Sequence, residues 1–293
     1  MAGNPHSSRT ASPATGTRLV MAGAFVGAIL ILALTTAFSW RLGAKADASP
    51  QAFDAPTGAC LDWKQPNAAD MHIVNCARQH RFQVTGKVTL NSRPGAPLPN
   101  QKGWQQVAQQ RCTKPAEHYL GGPLDPQGRY SVGALKPTAQ QWKAGDRTLR
   151  CGLQVAAPSG KLLLNSGSAK AADQSALYPV GTCLGLIGKA VGDPVNCSKP
   201  HSYEIVGIVD LKSKFTDGYP GQTKQQNALL DLCSTALHSY AHGVSLKDYG
   251  LTLTWDTRSE ASWKAGSTQV NCKVGAPLSD GSGLKPITNT IKR

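Results

Sequence analysis

The chain has 293 residues, 31 Lys and Arg against 17 Asp and Glu, and eight cysteines. Its length has room for about two domains, and the cysteines, none in a C-x2-C or C-x4-C arrangement, argue for disulfides over a zinc ribbon. Only three glutamates occur, Glu117, Glu204 and Glu260, which argues against a glycosidase, and G-x-S-x-G, H-E-x-x-H, P-loop and dinucleotide motifs are missing.

Residues 1–18 are rich in Ser, Thr, Ala, Gly and Pro and carry no acid, so they read as a disordered cytoplasmic tail. Residues 19–40 hold no charge and are long enough, at about 1.5 Å per residue, to cross a hydrocarbon core of about 30 Å. They are predicted to form a single transmembrane helix. The alternative is a cleaved signal, since Ala44-Lys45-Ala46 precedes Asp47, but the apolar run exceeds the usual signal core of about 7–15 residues. Arg9 and Arg18 before the segment balance Arg41 and Lys45 after it. Disulfides need an oxidising compartment, which puts the amino end inside and everything beyond residue 40 outside. Residues 41–54 read as a linker.

From there the chain repeats itself. A shift of 121 positions carries Val74-Asn75-Cys76 and His80 onto Val195-Asn196-Cys197 and His201. It also carries Cys112 onto Cys233, Cys151 onto Cys272, and Trp142-Lys143-Ala144-Gly145 onto Trp263-Lys264-Ala265-Gly266. The first cysteines, Cys60 and Cys183, need a shift of 123, so the second copy has lost two residues at a tolerant loop tip. The copies span 55–157 and 177–276, with 158–176 a flexible linker and 277–293 a disordered basic tail.

Within each copy, Gly58 or Gly181 makes a turn into a short strand. Phe82, Val84, Gly86, Val88 and Leu90, like Tyr203, Ile205, Gly207, Val209 and Leu211, alternate as a strand with one buried face, and His80 and His201 share that parity. Leu229, Leu232, Cys233, Ala236, Leu237 and Tyr240 follow a helical period that stops near Gly243. In the first copy Trp104, Val107, Ala108 and Cys112 do the same, with Pro115 expected to end the helix. A polar hairpin closes each copy, Trp142 or Trp263 in its first arm and Cys151 or Cys272 in its second. The predicted fold class is α+β, two tandem disulfide-closed units of strand, strand, helix, strand and strand with an antiparallel sheet. Four cysteines allow three pairings. The reading leans to neighbours, Cys60–Cys76, Cys112–Cys151, Cys183–Cys197 and Cys233–Cys272, a 15-residue loop so closed contributing about 3 kcal/mol.

The repeated histidines are the sharpest candidates for chemistry. Cysteines in disulfides have no thiolate to offer, and Glu204, three residues after His201, has Gln83 as its counterpart, so no catalytic residue is assigned. His80, His201, Glu204, Trp142 and Trp263 remain as recognition candidates, the tryptophans as stacking surfaces or hairpin covers. His238 and His242 stand at i and i+4, a spacing that suits a metal but also a plain helix end. No metal or cofactor is expected. Beyond residue 46 there are 27 Lys and Arg against 17 Asp and Glu, a field that favours anions. The expected partners are the membrane itself, other envelope or division proteins, or anionic wall polymers and lipids, with nucleic acid excluded by compartment.

The second copy carries Gly181, Cys183, Leu184, Val195, Cys197, Pro200, His201, Glu204, Gly207, Tyr219-Pro220-Gly221, Cys233, Trp263, Gly266 and Cys272. This series resembles the domain of the actinobacterial septum formation family. The first copy departs from it at Gln79, Gln83 and the missing Tyr-Pro-Gly, although Trp142, Gly145, Asp146 and Arg147 fit its ending. The resemblance implies a part in division septa and brings no catalytic residues with it. The expected function is a non-enzymatic, membrane-anchored extracytoplasmic binding or scaffold protein of envelope or septum assembly. The alternatives are an envelope hydrolase or transferase built on His201 and Glu204, and a soluble secreted binder of wall polymers.

Overall fold

A computed structural model describes residues 50–93 and 95–292. The first half contains α1 (Pro50–Phe53), β1 (Cys60–Asp62), β2 (His72–Val74), β3 (Phe82–Thr89), α2 (Gln101–Leu120), β4 (Tyr130–Leu135), α3 (Ala139–Lys143), β5 (Thr148–Ala156) and β6 (Leu162–Leu163). The second contains β7 (Cys183–Ile187), β8 (Ala190–Val195), β9 (Tyr203–Asp210), α4 (Gln222–Tyr240), β10 (Thr252–Trp255), α5 (Glu260–Lys264), β11 (Gln269–Pro277) and β12 (Leu284–Lys285). The sheets run β2-β1-β3-β5-β4, with β6 on β5, and β8-β7-β9-β11-β10, with β12 on β11. Every pairing is antiparallel, and the two halves share one strand order. The class is α+β. Among the described residues no helix is long and apolar enough to cross a membrane; the apolar run 19–40 lies outside them.

Each sheet buries one face under its long helix. Trp104, Ala108, Cys112, Ala116 and Leu120 recur every four residues and are the buried stripe of α2; Gln225, Leu229 and Cys233 play that part in α4. Disulfides Cys112–Cys151 and Cys233–Cys272 tie α2 to β5 and α4 to β11, and Cys60–Cys76 and Cys183–Cys197 close the first hairpins. Pro115 does not end its helix, contrary to expectation: α2 continues to Leu120. The buried Cys112, Ala116 and Leu120 hold both sides of the proline to the sheet, and Arg111, whose carbonyl loses a donor, is exposed to solvent. The glycine opposite explains the close approach. A Cβ on Gly86 would stand 3.2 Å from the Pro115 Cβ, and one on Gly207 would stand 2.5 Å from the Ala236 Cβ.

The long strand does not present one buried row either. Between β3 and β5 the register skips Thr85, and between β9 and β11 it skips Val206, a bulge that turns the strand over. Phe82 and Val84 consequently pack on the far side with Leu61, Trp63 and Met71. Val88 and Leu90 pack under α2 with Trp104 and Cys151. The closing hairpin is also different from its expected form. Trp142 and Trp263 sit in α3 and α5, short helices between the two arms, not in an arm. The cause is local: Thr138 and Gln141 form a reciprocal capping box, and Ser259 caps the Ser262 amide.

The largest correction concerns 158–176 and 277–292. They are neither a free linker nor a disordered tail. β6 and β12 add a short strand to β5 and β11, and the chain then pairs with His80 or His201 at that same end of the sheet. The halves are docked through this connector and the loop after α2. Gln174 Nε2 donates to the Ala265 carbonyl at 2.9 Å and Ser267 Oγ to Asp125 at 2.5 Å. On the other side Ser159 gives its N–H and its hydroxyl to the Asp193 carboxylate, at 2.8 and 2.6 Å.

Candidate functional site

The repeated histidines mark where each returning segment is latched. His80 and His201 are buried, 1% and 0% exposed. Each ring Nδ1 lies 2.9 or 2.8 Å from a carbonyl two residues earlier, Arg78 O or Lys199 O. A carbonyl only accepts, so Nδ1 carries the proton. The backbone of each histidine pairs both ways with the segment that covers it: His80 with Asn165 at 2.8 Å in both directions, His201 with Ile287 at 2.9 Å. Two residues on, Gly167 N donates to Cys76 O at 2.7 Å and Asn289 N to Cys197 O at 2.8 Å. Both of these residues are left-handed, with φ of 84° and 65°, a conformation glycine and asparagine tolerate best. We call 162–170 and 284–292 the straps.

The bulge then brings Gln83 and Glu204 to the same face as the helix, where each locks its strap. Gln83 Oε1 accepts from Ala169 N at 2.8 Å, while its Nε2 donates to Tyr119 Oη at 2.9 Å, Ser168 Oγ at 3.2 Å and Gly58 O at 3.2 Å. Glu204, 0% exposed, accepts from Ile291 N at 2.8 Å, from Tyr240 Oη at 2.6 Å and from Thr290 Oγ1. Burial, together with the proton it donates to Glu204, pushes the Tyr240 phenol up to about 12. The histidine, the acid or amide, and the tyrosine are thus engaged inward. Sequence reasoning named His80, His201 and Glu204 and placed Tyr240 on the helical stripe. It missed Gln83, Asn165, Ser168 and Thr290 as parts of the same latch.

Around the first latch a small cavity is lined by His80, Gln83, Tyr130, Leu153, Asn165 and Ala169, roughly the room of one water. In the second half a ring nitrogen of His201, the Cys183 sulfur and a Glu204 oxygen all lie within 4.8 Å of one another. Cys183 is bonded to Cys197, so in this state its sulfur is no thiolate ligand.

The tryptophans lie elsewhere. Trp142 is 5% exposed; its Nε1 donates to Ala96 O at 2.7 Å, Arg147 lies 3.7 Å above its ring, and Trp104 meets it edge-on at 5.5 Å. That leaves no open face for a sugar. Trp263 is half-buried against Tyr219 at 6.3 Å, so the Tyr-Pro-Gly turn and the second tryptophan meet. His238 and His242 are exposed, with ring centroids 6.1 Å apart.

Comparison with known proteins places this architecture. No solved structure matches the chain. Two uncharacterized membrane proteins of Mycobacterium tuberculosis, from strains CDC 1551 / Oshkosh and ATCC 25618 / H37Rv, are each 33% identical to it over 246 residues, 80% of this chain and 55% of theirs. The chain therefore spans about half the length of these curated relatives. Residues 57–272, the stretch that holds all four disulfides, match the profile described as Septum formation, and the chain belongs to the septum formation family.

Proposed function

We propose that the chain is a membrane-anchored envelope protein whose two halves are tandem copies of one binding module, held outside the cytoplasm by residues 19–40 and serving septum or envelope assembly without chemistry of their own. The observation that carries this reading is the latch. The residues with reactive side chains, His80, His201 and Glu204, are buried, each histidine ring bonded to a carbonyl of its own loop and Glu204 to its strap, which favours the outside of a doubly stapled body as the binding surface. The family's description, septum formation, and the membrane character named for its relatives fit such a part. Two similar modules docked in one fixed relation present a bivalent surface, which favours a repetitive or multi-copy partner through avidity. The excess of Lys and Arg beyond residue 46 suits wall polymers or lipid head groups.

The test joins topology to place. Alkaline phosphatase fused to the carboxyl end should be active and a fluorescent fusion should gather at division sites. Phosphatase activity absent in cells that accumulate the fusion, or purified chain that cleaves wall polymer and loses that activity on H201A, would overturn the proposal.

A further inference from the structure

The two latches differ in one chemical respect. Around the second, a ring nitrogen of His201, the sulfur of Cys183 and an oxygen of Glu204 converge within 4.8 Å, all three residues buried; among the described residues no other group of three such donors does so. His201 commits Nδ1 to the Lys199 carbonyl and leaves Nε2 buried with no hydrogen-bond partner. A histidine whose other ring nitrogen is fixed by a backbone carbonyl has the arrangement found behind metal-bound imidazoles. One thing withholds the site, the bond between Cys183 and Cys197.

That bond is the more accessible of the two in its half. Cys197 is half-buried, whereas Cys233 and Cys272 are both fully buried, so a thiolate from solvent reaches Cys197 first. A small dithiol supplies the electrons. Its first thiolate attacks Cys197 Sγ and expels Cys183 as thiolate; its second sulfur closes onto the first, releasing Cys197. The dithiol leaves as a cyclic disulfide, two electrons have passed to the protein, and two cysteine thiols remain. On binding a divalent cation these give up their two protons to water.

We infer that reduction of Cys183–Cys197 turns the second latch into a site for a divalent cation of the zinc class, held by Cys183, Cys197, His201 Nε2 and Glu204. Two sulfurs, one imidazole and one carboxylate make a four-ligand set suited to tetrahedral zinc. The first half supplies its own control. Cys60, Cys76 and His80 stand in the same places, but Gln83 replaces the carboxylate.

The experiment uses the full chain in mild detergent, reduced with dithiothreitol, desalted without air and titrated with Co2+. The expected result is one cobalt per chain with thiolate-to-cobalt charge-transfer absorption, displaced by Zn2+, and protection of Cys183 and Cys197 from alkylation. E204Q should weaken binding at least about tenfold, and it should fold because Gln83 already serves in that position. Q83E should raise the stoichiometry to two. Absence of the charge-transfer band, equal protection of Cys60 and Cys76 in the unmutated chain, or E204Q binding cobalt as tightly as the unmutated chain overturns the inference. So does a loss of far-UV circular dichroism on reduction that cobalt does not restore.

Discussion

Gln83 and Glu204 occupy the same place in the two sheets and bind the same kinds of neighbour, a strap N–H, a strap hydroxyl and the tyrosine near the end of the long helix. The amide can donate as well as accept, so Gln83 also serves the Gly58 carbonyl. A carboxylate only accepts. Glu204 therefore draws both hydroxyls in as donors and cannot serve the Gly181 carbonyl as Gln83 serves that of Gly58. One scaffold thus carries an amide latch and a carboxyl latch. The comparison teaches that the frame, meaning bulge, glycine, helix and strap, is what the halves share, while the polar atoms inside it are free to diverge.

The hardest test of that shared frame is the glycine beneath the helix. Gly207→Ala would place a methyl 2.5 Å from the Ala236 Cβ, on a helix that Cys233 staples to the sheet, and neither side can yield cheaply. The expected loss is about 3 kcal/mol, at the upper end of ordinary overpacking. Gly86→Ala meets Pro115 at 3.2 Å, a contact that a shift of a few tenths of an ångström relieves, and should cost less than about 1 kcal/mol. Denaturant midpoints of the two variants measure the contrast. A second-site Ala236→Gly should recover most of the G207A loss, and equal losses in the two halves would show that the helices do not sit at different heights.

A smaller effect of opposite sign is expected at the bulge itself. Thr85 and Val206 are the residues skipped by the register, and both are buried. The Thr85 hydroxyl has no hydrogen-bond partner, whereas the second half places a methyl there. A buried unsatisfied hydroxyl costs about 1–3 kcal/mol. Thr85→Val should raise stability by about 1 kcal/mol, read as a higher denaturant midpoint at unchanged slope. A lowered midpoint would mean that the hydroxyl holds a water.

How much of this was legible beforehand follows from where each element's signal resides. The cysteines, the alternating strand and the helical stripe are local or repeated patterns, and the shift of 121 positions exposed them. The bulge was not legible, because one extra residue leaves the period-two pattern intact while turning its second half to the other face. The straps were hidden by composition. Asn165 to Ala169 are polar or small and Ile287 to Ile291 hold three polar residues between two isoleucines, and their order comes from contacts with His80, His201, Gln83 and Glu204 far away in sequence. A signal existed: a shift of 122 lays Leu162 on Leu284, Ser168 on Thr290 and Lys170 on Lys292. The short helix under Trp142 was readable from Thr138 and Gln141, whose spacing is that of a capping box.

The smallest expected effect belongs to an ion pair that only the second half can hold. Lys273 Nζ lies 2.6 Å from Asp256 Oδ2 and 5.1 Å from the Tyr203 ring. In the first half the matching position is Gly152, where the Phe82 ring takes the space: a Cβ there would stand 2.2 Å from it. Partial desolvation works against the charged Asp256 carboxyl, but Lys273 outweighs it and holds the carboxyl below its ordinary value. A depressed carboxyl contributes stability above its unfolded pKa and loses it as pH falls through the folded one. The Asp256 side chain is 68% exposed, so solvent screening limits the pair to about 0.5 kcal/mol. Lys273→Met should therefore lose about that much at pH 7, less in about 1 M salt, and progressively less as acid protonates the carboxyl, first in the unfolded chain and then in the folded one. Unfolding curves of the variant and its parent at pH 7 and pH 3 measure the difference, and a gap that widens in acid would remove Asp256 as the partner that Lys273 stabilises.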